Sequence, residues 1–153
     1  MKFFLYNFIL ILLLPLIISR LIIRSLKDRD YIKNISNRFG IYENETKSNP
    51  VWFHAVSLGE VISSETLIKK ILNDNKVVLS VSTPTGYRQA KKIFGNSLQI
   101  VYAPWDIYFF VNNFLKKFNP KALIIFETEI WPSMIKASSA KKIPIFLTNA
   151  RLS

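Results

Sequence analysis

A parallel α/β sheet preceded by a hydrophobic helix is the fold class that this 153-residue chain predicts, and three observations carry that prediction. From Val51 onward, short β-branched and aromatic runs alternate with helical patterns, the signature of βαβ units. Before them, Phe3 to Ile23 is almost continuously apolar. The chain has no cysteine and one histidine, His54, so neither a disulfide framework nor a Cys/His metal cluster replaces an ordinary core.

The N-terminal element comes first. The apolar run Phe3–Ile18 resumes at Leu21–Ile23, interrupted by Arg20 and containing Pro15. A helix crossing hydrocarbon needs about 20 residues, a length reached here if Arg20 snorkels. Pro15 bends such a helix without forbidding it. A cleaved signal peptide would carry its basic residues ahead of the apolar part and small residues after it. Here Arg20, Arg24, Lys27 and Arg29 follow the run, which predicts a retained anchor, spanning or interfacial, over residues 1–29. The positive-inside rule then puts the rest of the chain in the cytoplasm. The anchor also accounts for a hydrophobic fraction of 50%, high for a soluble domain. Residues 30–50, ending in the polar stretch "IYENETKSNP", read as a linker.

Strands are predicted at 51–55, 77–82, 98–102, 122–126 and 144–148, with helices near 59–73, 85–94, 106–118 and 131–141. Right-handed crossovers between parallel strands give a Rossmann-like sheet over 51–153, with expected order 3-2-1-4-5. The formal charge of +11 invites a nucleic-acid reading. Much of it sits in four lysine pairs, 69–70, 91–92, 116–117 and 141–142, each late in a predicted helix. Cations there complement the helix dipole. They lie away from the strand-end loops, so no nucleic-acid site is assigned, and an anionic membrane surface is the better match for the charge.

The chemistry-bearing residues fall in loops. "FETEIWP" (126–132) puts Glu127 and Glu129 where an apolar strand stops, in a chain with only 10 acidic residues. A carboxylate among Ile124, Ile125, Phe126 and Trp131 needs a partner or a use. Ligands of doubly wound sheets bind at the topological switch point, here between strands one and four. The loop after strand one holds Ser57, Gly59 and Glu60, so Glu60 and the Glu127/Glu129 pair are expected in one crevice. Glu60 is open to two readings: a first-turn carboxylate complementing its helix, or one of two acids dividing proton acceptance and charge stabilisation. "STPTGYRQA" (82–90) offers Thr83, Thr85 and Gly86 at a helix start, a site for phosphate or sugar hydroxyls, or simply a cap. In "YAPWD", Asp106 is expected to be an N-cap, and His54 a satisfied core residue.

The stretches "WFHAVSLGE", "STPTGYRQA", "YAPWD", "FETEIWP" and "TNARLS" together resemble the N-terminal half of the membrane-associated 3-deoxy-D-manno-octulosonic acid (Kdo) transferases. The resemblance implies an inverting, two-Rossmann-domain (GT-B) glycosyltransferase of the bacterial inner membrane, acting on its cytoplasmic face. Such an enzyme moves Kdo from CMP-Kdo to a lipid A precursor in lipopolysaccharide biosynthesis. It implies that residues 51–153 are the acceptor-binding domain and that the donor-binding domain is absent, leaving a truncated half inactive alone. By resemblance Glu60 is the proton acceptor and Glu127 the transition-state stabiliser. Ser57, Gly59, Thr83, Thr85, Gly86 and Arg151 become substrate-binding positions. No cofactor or metal is expected. The alternative is a non-catalytic, membrane-anchored acceptor-binding module descended from such an enzyme.

Overall fold

The computed structural model describes residues 2–43, 49–127 and 129–149. Arg151 lies outside them, as does most of "TNARLS". Five strands, β1 (Val51–His54), β2 (Val77–Val81), β3 (Gln99–Tyr102), β4 (Ala122–Phe126) and β5 (Ile145–Thr148), form one sheet. Its order is β3-β2-β1-β4-β5 and every pairing is parallel, as expected. The central strands are buried on both faces, which is why they read as continuous apolar runs rather than alternating ones.

Helices α2 (Leu58–Leu72) and α3 (Pro84–Phe94) pack together on one face, α4 (Tyr108–Phe118) and α5 (Pro132–Ala140) on the other. The period-2 alternation of the strands divides the core accordingly. Phe53, Leu79 and Ile100 meet Val61, Ile68, Ala90 and Phe94 of α2 and α3. Trp52, Val78, Leu123 and Ile125 meet Phe114, Phe118 and Met134 of α4 and α5. Trp52 is fully buried, stacks on Phe114 with ring centroids 4.0 Å apart, and donates its indole N–H to Ser80 Oγ at 2.8 Å. A buried indole needs such a partner, and Ser80 supplies it from the neighbouring strand. Lys69–Lys70, Lys91–Lys92 and Lys116–Lys117 occupy last turns of helices, while Lys141 caps α5 and Lys142 follows it in left-handed backbone.

Residues 29–43 have structure of their own. Two 3-10 turns, Arg29–Tyr31 and Ile35–Phe39, lead to Gly40 at φ 75°. A Cβ there would run into the Phe110 carbonyl and the Asn113 side chain, so only glycine lets the turn seat on α4. Tyr42 is buried beyond it and donates its hydroxyl to the Tyr102 carbonyl at 3.1 Å.

Helix α1 (Lys2–Ser25) is long and apolar enough to cross a membrane, and most of its large side chains are exposed. Yet it is docked at both ends. Near its start, Tyr6 donates to Asp106 Oδ2 at 2.8 Å and Asn7 Oδ1 accepts the Tyr108 N–H at 2.7 Å. Near its finish, Leu21 and Ser25 are buried, and the Arg24 guanidinium lies over the Tyr31 ring.

These contacts correct one expectation. Asp106 does not cap α4, whose N-cap position is Ile107 with no side-chain bond. The Asp106 carboxylate instead accepts from the Ser133 and Met134 N–H groups at 2.9 and 2.8 Å, the open first turn of α5. The N-terminus of α5 has free amides directly behind Pro132, and a buried carboxylate gains more from two of them than from its own helix. The cap of α4 comes from Asn7.

Candidate active site at the strand C-termini

Strands β1 and β4 pair in register, His54 opposite Ile125, so the loops that leave them start side by side. After β1 the chain turns into α2 through a capping box. Ser57 Oγ accepts the Glu60 N–H at 3.3 Å, and the Glu60 carboxylate accepts the Val56 and Ser57 N–H groups at 2.7 and 3.1 Å. Glu60 is only 5% exposed. The box explains why Ser57 and Glu60 stand three apart at a helix start. It also orients the carboxylate: each oxygen holds one backbone N–H and keeps a further acceptor site. Gly59 is exposed in the same first turn.

After β4 the backbone flips. Glu127 has φ 68°, left-handed for a residue with a Cβ, while its N–H still reaches the Thr148 carbonyl on β5 at 2.8 Å. Such a conformation is uncommon away from Gly, Asn and Asp. It follows directly on the last residue of β4. Glu129 follows, half-buried, its Oε2 accepting the Trp131 indole N–H at 2.9 Å. Burial raises the Glu129 carboxyl above its usual range, and the charges of Glu60 and Glu127 push the same way. Three carboxylates from two separated loops therefore share one electrostatic neighbourhood.

The loop after β2 packs against the β1–α2 loop. Thr83 caps α3, its Oγ1 accepting the Gly86 N–H at 3.1 Å and donating to the Val56 carbonyl at 3.4 Å. Gly86 is buried against the Ser57–Leu58 backbone, where a Cβ would come within 3.3 Å of Ser57 C and 3.0 Å of Thr83 Oγ1. It is a close-approach residue holding two loops together. Thr85 is exposed and donates to Thr83 Oγ1 at 3.3 Å.

Below these loops, His54 is buried, with Nδ1 2.8 Å from Ser80 Oγ and its ring edge-on to Trp131 at 5.3 Å. Its Nε2 has no partner among the described residues. Burial lowers its pKa to about 4 despite the bond to Ser80. The neutral ring sets the floor on which Trp131, and through it Glu129, rests. Among the described residues, no group of three or more His, Cys, Asp or Glu side chains is arranged to hold a metal ion.

Sequence reasoning brought Glu60, Glu127, Glu129, Ser57 and Thr83–Gly86 to this end of the sheet, and the structure gathers them there. It missed the role of Tyr6 and Asn7. The signal was available: two adjacent polar residues inside an otherwise apolar run.

The family model described as 3-deoxy-D-manno-octulosonic-acid transferase matches residues 33–153. Among curated relatives, the Kdo transferase of Haemophilus influenzae is 34% identical over 98% of this chain and 36% of its own length. That of Rickettsia bellii is 30% identical over 97% of this chain and 36% of its own length. A bifunctional glycosyltransferase/methyltransferase of Fusobacterium nucleatum is 34% identical over 79% of this chain and 19% of its own. The chain thus spans about a third of the length of the Kdo transferases it matches. With the family model covering most of the residues, and the motif-bearing loops converging at one end of the sheet, the chain belongs to the 3-deoxy-D-manno-octulosonic acid transferase family.

Proposed function

We propose that this chain forms the acceptor side of an inverting Kdo transferase working at the cytoplasmic face of a bacterial inner membrane. The donor is CMP-Kdo and the acceptor a lipid A precursor, with the donor-binding part lying in the portion of the relatives that this chain does not span. The observation that carries the reading is the placement of Glu60 and Glu127 on neighbouring loops at the β1/β4 switch point. In the reaction an acceptor hydroxyl attacks the anomeric carbon, the bond to the CMP oxygen breaks with its electron pair, and the hydroxyl proton passes to Glu60. Glu127, aimed by its left-handed backbone, stabilises the oxocarbenium-like charge. Ser57, Gly59, Thr83, Thr85, Gly86 and Arg151 are assigned to substrate binding. Gly86 acts indirectly, by letting the 57–58 and 83–86 loops touch.

The attachment to the membrane is read as interfacial. From Tyr6 to Ser25 a helix rises about 28 Å, close to the hydrocarbon thickness of about 30 Å. Tyr6 bonds Asp106 of the α/β domain, while the Ser25 end packs on the Arg29–Tyr31 turn, which Tyr102 and Arg88 tie to that same domain. A spanning helix would have to carry one of these contacts to the far side of the bilayer.

One observation favours the second reading, a binding module without chemistry: both Glu60 oxygens already serve the capping box. The experiment that separates the two uses a chain joined to a donor-binding domain, with CMP-Kdo and lipid A precursor. Glu60→Gln is expected to lower kcat by about 10²–10⁴ with acceptor KM little changed. The lost acceptor of the box should lower stability by about 1 kcal/mol. Loss of stability with unchanged kcat would leave Glu60 as a cap and nothing more. The 153 residues alone are expected to give no transfer, because holding both reactants in line is worth about 7–11 kcal/mol.

A further inference from the structure

We infer that the hollow between α1 and the end of β2 binds the phosphate monoester of a membrane-lipid headgroup. The hollow has a volume of about 210 Å³. Arg20 and Arg24 enter it from successive turns of α1, Arg38 and Tyr31 from the 3-10 turns, and the Ser82 end of β2 closes it. None of the residues that line it is acidic.

Arg38 is the central observation. It is 5% exposed, donates from Nη2 to the Ser82 carbonyl at 3.1 Å, and lies over the Tyr102 ring at 4.6 Å. Its buried Nε has no partner among the described residues. No carboxylate among the described residues pairs with Arg20, Arg24 or Arg38. The acids nearest in sequence, Asp28 and Asp30, are held by Arg88 at 3.0 and 2.6 Å. A buried guanidinium without a counter-ion is costly, and two further cations beside it raise that cost by repulsion. An anion in the hollow reverses both effects. A phosphate monoester suits it because it carries about 1.5–2 negative charges near pH 7 and three acceptor oxygens. Guanidinium forks engage such oxygens in pairs.

The headgroup source follows from α1. The helix that contributes Arg20 and Arg24 exposes Leu16, Ile22 and Ile23 on adjoining positions. With those side chains in the acyl boundary, arginines one turn apart sit at the level of lipid phosphates.

The test is cosedimentation of the full chain with phosphatidylcholine vesicles carrying phosphatidic acid or phosphatidylglycerol, adjusted to equal surface charge. Binding is expected to be about tenfold tighter to phosphatidic acid, the size of one additional charge-assisted contact. The double substitution Arg20→Gln with Arg24→Gln should abolish that preference. Lys116→Gln with Lys117→Gln removes equal charge at the opposite end of the sheet and should leave the preference intact. Arg38→Gln, checked for folding by circular dichroism, should also abolish it. Equal binding of the unaltered chain to both surfaces would overturn the inference, as would an equal loss in the lysine control. Protection against melting by inorganic phosphate without a vesicle preference would overturn the lipid assignment and give the hollow to a soluble phosphate. None of these readouts involves sugar transfer, so the inference stands or falls independently of the proposed reaction.

Discussion

Glu127 holds a backbone conformation that glycine would adopt freely, at φ 68°. Keeping a side chain there costs about 1 kcal/mol, and such strain gathers at functional positions. Glu127→Gly is therefore expected to raise thermal stability by about 1 kcal/mol. In a chain joined to a donor-binding domain it should abolish transfer. A stability gain with undiminished transfer would show that the strain serves only the turn. His54 gives a second prediction. Its folded pKa of about 4 lies below the ordinary 6.5, so the unfolded chain binds more protons between these values. Its contribution to stability is complete above pH 6.5 and declines as pH falls toward 4, by on the order of 3 kcal/mol in total. Asp106 and Glu129, whose carboxyls are raised chiefly by burial, act in the opposite sense. The measurement is thus the difference in denaturant midpoints between the unaltered chain and His54→Gln, at pH 7 and pH 5. The substitution should flatten the loss on acidification. At this scale sequence reasoning placed Glu60 and Glu127 on neighbouring loops, where the structure also has them, because loop position follows from strand order. It had no access to the sign of φ at Glu127 or to the orphaned Nε of Arg38, which depend on three-dimensional neighbours.

Elements were legible where their boundary signals are local. Ser57 with Glu60 and Thr83 with Pro84 announce α2 and α3 by capping chemistry that needs no tertiary partner. The cap of α4 was misread for the opposite reason, and no cap was read for α5. Their amides are satisfied by Asn7 and Asp106, one from a distant segment and the other from a different connection. Asp106→Asn keeps the size of the side chain and sets an NH2 group where one of the two amide N–H groups needs an acceptor. It is expected to lower stability by about 1–2 kcal/mol. It should also loosen the first turn of α5, read as faster hydrogen exchange at Ser133 and Met134. Unchanged exchange there would mean that α5 is stabilised by Pro132 and packing alone.

The strands followed from periodicity, and their order from the usual doubly wound arrangement with right-handed crossovers. How α1 meets the domain did not, because apolar composition is the same for a helix through a bilayer and one along its surface. The absence of cysteine makes a direct measurement clean. Single cysteines at Lys2 and Lys27, probed in sealed inside-out vesicles with a membrane-impermeant maleimide, should both react. Protection of position 2 alone would show that the helix spans.

Tyr6 and Asn7 bond partners 100 and 101 residues further along the chain. At about 5–20 residues per second, a ribosome takes on the order of 5–20 s to cover that interval. On the interfacial attachment proposed above, α1 has during this time its apolar face and no domain to dock against, so the lipid surface is the first structure it meets. The remaining strands then emerge beside a helix already lying in the headgroups. Asn7, which closes α4, and Tyr6, which holds Asp106, are thereby in place at the membrane before α4 and α5 exist, and the domain is assembled on the surface it serves rather than delivered to it.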